Sequence, residues 1–79
     1  MRYEAIIGFN TKQIWIYDNV NNSYIDPPAV ILQAARAYAL NGEEWSWEKE
    51  CEYVERIANE QNPDWLHDGN EYFDENLEI

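Results

Sequence analysis

The sequence has very few basic residues. Five Lys and Arg stand against 16 Asp and Glu in 79 residues, which gives a formal net charge of −11. Proteins that bind DNA or RNA directly neutralise phosphates with Lys and Arg. We therefore expect no direct binding of nucleic acid by this chain.

Side chains suited to catalysis are also scarce. Cys51 is the only cysteine, which excludes an intrachain disulfide and a cysteine-based metal cage. One histidine, His67, and two serines, Ser23 and Ser46, leave almost no material for a nucleophile and base pair. We expect no enzyme activity and no catalytic residue.

Metal-binding patterns are incomplete near the end of the chain. Four potential ligands occur there at helical spacing, namely Asp64, His67, Asp68 and Glu71. Gly69 and Asn70 interrupt the helix that this spacing would need. A calcium loop starting at Asp68 would have Phe73 where its sixth position needs glycine. We expect no metal site and no cofactor.

Long hydrophobic runs are absent too. The first ten residues, MRYEAIIGFN, contain only the pair Ile6 and Ile7 after Ala5 as an apolar run, which fits neither a signal peptide nor a membrane span. We expect a cytoplasmic protein without membrane contact; if a phage encodes it, the compartment is the host cytoplasm.

The chain nevertheless has material for one core, since 46% of its residues are hydrophobic and four are Trp. A chain of this size buries only about 60% of its unfolded surface. We expect a single α+β domain over residues 1–79. It consists of a three-stranded antiparallel meander (1–26), a core helix (27–41), an acidic amphipathic helix (46–61) and an acidic C-terminal segment (62–79) that adds a possible edge strand.

In the meander, the second strand is apolar on both faces. Ile14 and Ile16 alternate with Trp15 and Tyr17, so the two pairs point to opposite sides. One face must cover the core. The other is either shielded by the C-terminal segment or forms a contact surface.

The first helix has clear start and stop signals. Asp26 can cap it, Pro27 suits its first position, and Asn41–Gly42 suits its end. Gln33 and Arg36 are its only polar side chains, so nearly all of its surface is apolar. We expect this helix at the centre of the core.

The second helix, Trp47 to about Gln61, separates apolar from acidic residues. Ser46 can cap it and Asn62–Pro63 stops it. Its apolar face consists of Trp47, Cys51, Val54 and Ala58. Glu48, Glu52, Glu55 and Asn59 fall within roughly 60° of one another and include no basic residue. The following segment, NPDWLHDGN, predicts a single helical turn or a tight loop.

The negative charge is concentrated in the second half of the chain. Residues 1–40 carry three basic and three acidic residues, whereas residues 41–79 carry two basic and thirteen acidic ones. Exposed helices usually alternate opposite charges, each pair adding ~0.3–0.5 kcal/mol. Here the glutamates repel one another instead, which indicates that the charge is used.

We predict that the acids and aromatics of this half bind a basic nucleic-acid-binding protein or nuclease. The candidate partner-binding residues are Glu43, Glu44, Glu48, Glu52, Glu55, Asp64, Trp65, Asp68, Glu71, Tyr72, Asp74 and Glu75. The helical acids advance by ~6 and ~4.5 Å along the helix axis. DNA phosphates advance by ~3.4 Å per strand, so the other acids must align with the helix to imitate DNA.

In size, charge and lack of catalytic residues, the chain resembles small acidic inhibitors encoded by phages and mobile elements. These include anti-CRISPR proteins, anti-restriction proteins and inhibitors of DNA-repair enzymes, many of which mimic DNA. The resemblance covers the composition of the second half and includes no motif. It implies an inhibitor that presents a DNA-mimicking acidic face.

Two alternatives remain open at this point. One is an immunity protein or antitoxin that neutralises a basic nuclease toxin, because it uses the same acidic surface against a basic cleft. The other is a non-catalytic domain that dimerises through Trp15 and Tyr17. A monomer and a homodimer both remain compatible with the sequence.

Overall fold

The structure, a computed structural model, describes residues 1–40, 44–67, 71–73 and 77–79. Its elements are β1 (Tyr3–Ile7), β2 (Ile14–Asp18), β3 (Ser23–Ile25), α1 (Ala29–Ala39), α2 (Trp47–Gln61), a 3₁₀ turn (Asp64–Leu66) and β4 (Glu71–Tyr72). The predicted α+β class is confirmed, with an N-terminal meander followed by two packed helices. The C-terminal segment adds an edge strand, β4.

The four strands form one antiparallel sheet in the order β1-β2-β3-β4. Tyr3 lies opposite Asp18, and Ile7 lies opposite Ile14, so β1 and β2 pair along their full length. Gly8 begins the turn between them. A Cβ at Gly8 would lie 2.8 Å from the carbonyl carbon of Ile79, so the close approach of the C-terminus requires glycine here.

The two faces of β2 have different partners. Ile14 and Ile16 point into the core between sheet and helices. Trp15 is also buried, since its ring meets Tyr72 edge-on at 5.7 Å and its Nε1 donates a 3.0 Å hydrogen bond to Thr11 Oγ1. Because Trp15 is packed within the monomer, it does not offer the free surface that a dimer contact through Trp15 would need.

The order of the two helices differs from the prediction. α2 is the helix that packs on β1 and β2, and α1 packs mainly on α2. Val54 and Ala58 of α2 are fully buried, whereas Val30 and Tyr38 of α1 are 68% and 44% exposed. The prediction of α1 as the central helix is therefore wrong. The apolar composition of α1 favours burial of its surface, but it does not determine which element covers that surface. That depends on packing between segments that are distant in the sequence.

The start of α1 also differs from the prediction. The helix begins at Ala29, with Pro28 at the N-cap position and no side-chain cap. A residue before proline avoids the helical region, so Pro28 keeps Pro27 out of the helix. Asp26 does not cap; its carboxylate accepts a 2.8 Å hydrogen bond from Gln13 Nε2. The predicted Asn41–Gly42 stop lies outside the described residues.

The bounds of α2 agree with the prediction. The helix covers Trp47–Gln61 and ends at Asn62, which has the left-handed conformation with φ 43°. Asparagine tolerates this conformation better than most residues. Ser46 occupies the N-cap position, but its side chain makes no capping hydrogen bond.

The 3₁₀ turn after α2 places Leu66 at full burial in the core, with Trp65 partly buried beside it. The sequence predicted a turn here but no core residue. No helix among residues 1–40, 44–67, 71–73 and 77–79 combines the length and apolarity needed to cross a membrane.

Candidate functional site

The acidic stripe, defined as Glu48, Glu52 and Glu55, follows one face of α2. The 4-3 spacing of these residues repeats close to the helical period, which aligns them. Glu48 and Glu52 are exposed and Glu55 is half-buried. Among the described residues the only ion pair is that of Arg2 with Asp18, so none of the three stripe carboxylates forms an ion pair there.

Most of the basic side chains lie against aromatic rings. The distances from charge centre to ring centroid are 5.0 Å for Arg2 on Tyr3, 4.5 Å for Lys12 on Phe9, 5.5 Å for Arg36 on Trp45 and 5.3 Å for Arg56 on Tyr38. Such contacts are worth about 0.5–1 kcal/mol at exposed sites. None of these four basic side chains forms an ion pair with the stripe, although Arg56 lies beside it.

An open groove of about 420 Å³ lies over the stripe. Its lining residues are Met1, Glu48, Cys51, Glu52, Glu55, Arg56, Asn59 and Glu60. Burial raises the pKa of the Cys51 thiol, and the charges of Glu50 and Glu55 raise it further. Cys51 therefore stays protonated near neutral pH and is a poor nucleophile. The groove suits a cationic group better than it suits covalent chemistry.

Asn59 attaches the C-terminal end of the stripe's face to the sheet. Its Oδ1 accepts a 3.1 Å hydrogen bond from the backbone N–H of Tyr3, and its Nδ2 donates one of 2.9 Å to the carbonyl of Tyr3. Nδ2 also donates to the carbonyl of Glu55 at 2.9 Å. The sequence grouped Asn59 with the acids but did not indicate this role. The only indication of this role in the sequence was that Asn59 is the one amide among the carboxylates of this helix face.

The direction of α2 places the stripe beside β1. Asn59, near the end of α2, meets Tyr3 at the start of β1. Trp47 and Glu50, at the beginning of α2, line a smaller cleft together with Ile14, which lies opposite Ile7. α2 therefore runs antiparallel to β1. Since the stripe shares the face of Asn59, it follows the outer edge of β1.

Glu50 belongs to the fold rather than to the acidic surface. It is only 6% exposed and accepts a 2.7 Å hydrogen bond from Trp45 Nε1. Trp45 in turn packs edge-on against Trp47 at 4.8 Å. Trp47, which the sequence places on the apolar face of the helix, is 36% exposed. Helical periodicity placed Glu50 off the acidic stripe, but no pattern in the sequence indicated that it would be buried.

The other predicted partner-binding residues are scattered. Glu44 and Asp64 are exposed but lie outside α2, the helix that carries the stripe. Trp65 packs partly against the core, so it is a poor surface anchor. Glu71 and Tyr72 lie on β4, at the opposite edge of the sheet from β1. Three strand spacings separate these edges, about 14 Å. Glu43, Asp68, Asp74 and Glu75 fall outside the described residues.

Of the twelve candidates, the structure thus brings together Glu48, Glu52 and Glu55. In the part of the chain that the structure describes, no three His, Cys, Asp or Glu side chains are grouped to hold a metal ion.

In comparisons with protein-family models, curated proteins and solved structures, no match to this chain was found. Any functional inference therefore depends on the geometry of the site.

Proposed function

We propose that this protein is a small, non-catalytic inhibitor, encoded by a phage or mobile element, that blocks a basic nucleic-acid-binding protein in the cytoplasm. The observation that carries the proposal is the acidic stripe without ion-pair partners among the described residues. Uncompensated charge on one face attracts a basic cleft over a distance and speeds association. Anti-CRISPR, anti-restriction and repair-inhibiting proteins are the classes that this mode of action fits.

The length of the stripe limits how much DNA it can imitate. From Glu48 to Glu55 the helix rises by about 10.5 Å, which corresponds to about three phosphate steps of one strand. The stripe can therefore fill only a short part of the cleft in which the target protein binds nucleic acid. There it would contact the basic residues of the target that otherwise bind about three phosphates.

An immunity protein or antitoxin against a basic nuclease is the second candidate, and the same stripe favours it. The neighbouring genes distinguish the two, since an immunity gene lies beside its toxin gene. A domain that dimerises for a structural purpose is a third candidate. It would use exposed apolar residues of α1 and of its C-cap, Val30 and Leu40, rather than Trp15.

The first prediction concerns the triple variant Glu48→Gln, Glu52→Gln, Glu55→Gln. We expect its melting temperature to stay the same or rise slightly, because mutual repulsion is removed. We expect its affinity for a target captured from a bacterial lysate to fall about tenfold or more at low salt. The dependence of this affinity on salt should weaken as well. Titration calorimetry between about 50 and 200 mM salt measures both effects.

A matched control removes the same charge elsewhere through Glu44→Gln, Asp64→Asn and Glu78→Gln, all of them exposed. We expect this control to keep most of the affinity, because its charges lie off the stripe. If the stripe variant bound its target as tightly as the wild type at every salt concentration, the stripe would be an ordinary solvated face. Binding of the protein alone to bare duplex DNA would also contradict the proposal.

A further inference from the structure

The outer edge of β1 carries backbone groups that no described residue pairs. The backbone N–H and C=O of Tyr3 point away from β2, since both form hydrogen bonds with the side chain of Asn59 in α2. Gly8 directs its N–H toward β2, where it bonds Gln13. The direction of the backbone N–H and C=O groups alternates from residue to residue along an antiparallel strand. Those of Ala5 and Ile7 therefore point outward, as those of Tyr3 do. Neither has a hydrogen-bond partner on that side within the described part of the chain.

Asn59 already makes the contacts of an added strand at one position. Its amide donates to and accepts from Tyr3, which is the pair of bonds that an antiparallel neighbour makes at a hydrogen-bonded site. The next two outward sites, Ala5 and Ile7, continue the same ladder. Ile7 is 43% exposed, and Ala5 is half-buried at the border of the core. An extended segment can therefore begin beside Asn59 and run toward Ile7.

The acidic stripe specifies which kind of segment fits. It borders this edge on the helix side of the sheet, and its carboxylates are spaced by ~6 and ~4.5 Å along the helix. Alternate side chains of a β-strand, which share one face, are ~6.8 Å apart. Basic residues at every second position of an extended segment would therefore meet successive glutamates. This spacing suits a strand better than it suits phosphates ~3.4 Å apart.

We propose that the protein binds its basic partner by strand addition. An extended segment of the partner, with Lys or Arg at alternate positions, pairs with Ala5 and Ile7 as a fifth strand beside β1. Its basic side chains lie against the acidic stripe. This inference rests on the proposed function, since it specifies how the basic partner is held. Backbone pairing supplies the register and the stripe supplies the selection for positive charge.

The test uses a synthetic peptide of about twelve residues in which Lys alternates with Val or Thr. The control peptide has the same sequence but is N-methylated at alternate backbone nitrogens. It keeps the charge and loses the donors that would pair with β1. We expect the unmodified peptide to bind the whole protein at least about tenfold more tightly than the control, because several backbone hydrogen bonds are lost in the control.

A variant of the protein tests the other side of the ladder. Ile7→Pro removes the outward N–H of Ile7 and changes its side chain, and proline is accepted on edge strands where the lost N–H faces solvent. We expect Ile7→Pro to weaken peptide binding about tenfold. Ile7→Ala, which keeps the N–H, should bind nearly as the wild type does. Circular dichroism and the melting temperature establish that both variants fold.

Hydrogen exchange on the wild type gives a result that depends on no variant. We expect the amides of Ala5 and Ile7 to exchange rapidly in the free protein and to be protected several-fold or more when the peptide is bound. Three results would each overturn strand addition: equal binding of the two peptides, no peptide binding at low salt, or unprotected amides at Ala5 and Ile7 in the complex. None of these results touches the proposed function, which the stripe variant and the captured target decide separately.

Discussion

Leu66→Ala is expected to lower the free energy of unfolding by about 2–5 kcal/mol. Leu66 is fully buried against the core that the sheet and α2 form. Its truncation removes apolar burial and leaves a cavity that the short 3₁₀ turn can fill only by shifting. A domain of this size has a total stability of roughly 4–12 kcal/mol. The variant should therefore be partly unfolded at moderate temperature.

Urea denaturation followed by tryptophan fluorescence measures this loss of stability. Leu40→Ala is the matched control, because it makes the same chemical change at a side chain that is 55% exposed. We expect the control to cost less than about 1 kcal/mol. Equal losses for the two variants would show that Leu66 does not lie in the core.

Asp18→Asn is expected to destabilise the protein by about 2–3 kcal/mol at pH 7. Asp18 is 1% exposed and accepts two 3.0 Å hydrogen bonds from Nε and Nη2 of Arg2. Its Oδ1 also accepts bonds from the backbone N–H groups of Val20 and Asn21, at 2.9 and 3.3 Å. The amide of asparagine keeps one acceptor oxygen but loses the charge. The cost stays moderate because the Arg2 side chain is 40% exposed and can regain water.

The same variant should change how stability depends on pH. Burial alone would raise the pKa of Asp18, but the hydrogen bond from Arg2, those from Val20 and Asn21, and the charge of Arg2 together lower it. A lowered pKa stabilises the fold above the unfolded value of about 3.9. This stabilisation disappears as the pH falls through the lower pKa of the folded state.

We therefore expect the difference in stability between wild type and Asp18→Asn to be largest at neutral pH and to shrink below about pH 4. Thermal unfolding across the acid range measures it. Asp64→Asn, at an exposed position without an ion pair to a described residue, is the control and should follow the wild type. A difference that stayed constant from neutral to strongly acidic pH would show that the charge of Asp18 does not stabilise the fold.

Exposed aromatic and apolar side chains also differ from what the sequence indicated. Helical periodicity places Trp47 on the apolar face of α2, yet Trp47 keeps about a third of its surface exposed, next to Trp45. A tryptophan is too large to be enclosed at the first position of a helix, where few neighbours surround it. Trp47→Ala is for this reason expected to destabilise the fold less than Leu66→Ala does.

The features that the sequence determined by itself are those governed by short-range physics. The limits of α2 follow from helical periodicity and from the Asn62–Pro63 pair after it, since the residue before proline avoids the helical region. The common face of Glu48, Glu52 and Glu55 follows from 3.6 residues per turn. Strand alternation in β2 likewise placed Ile14 and Ile16 together on one face. Each of these inferences needs only neighbours in the chain.

Tertiary structure alone decided which surfaces meet. α1 is the more apolar helix, yet α2 lies on the sheet, and Leu66 enters the core from a segment that the sequence marked only as a turn. Asn59 reaches Tyr3 across 56 positions of sequence, and that contact places the acidic stripe beside the edge of β1. Local patterns carry no information on such pairings, because burial is non-directional and the best partner depends on how all elements fill the same volume.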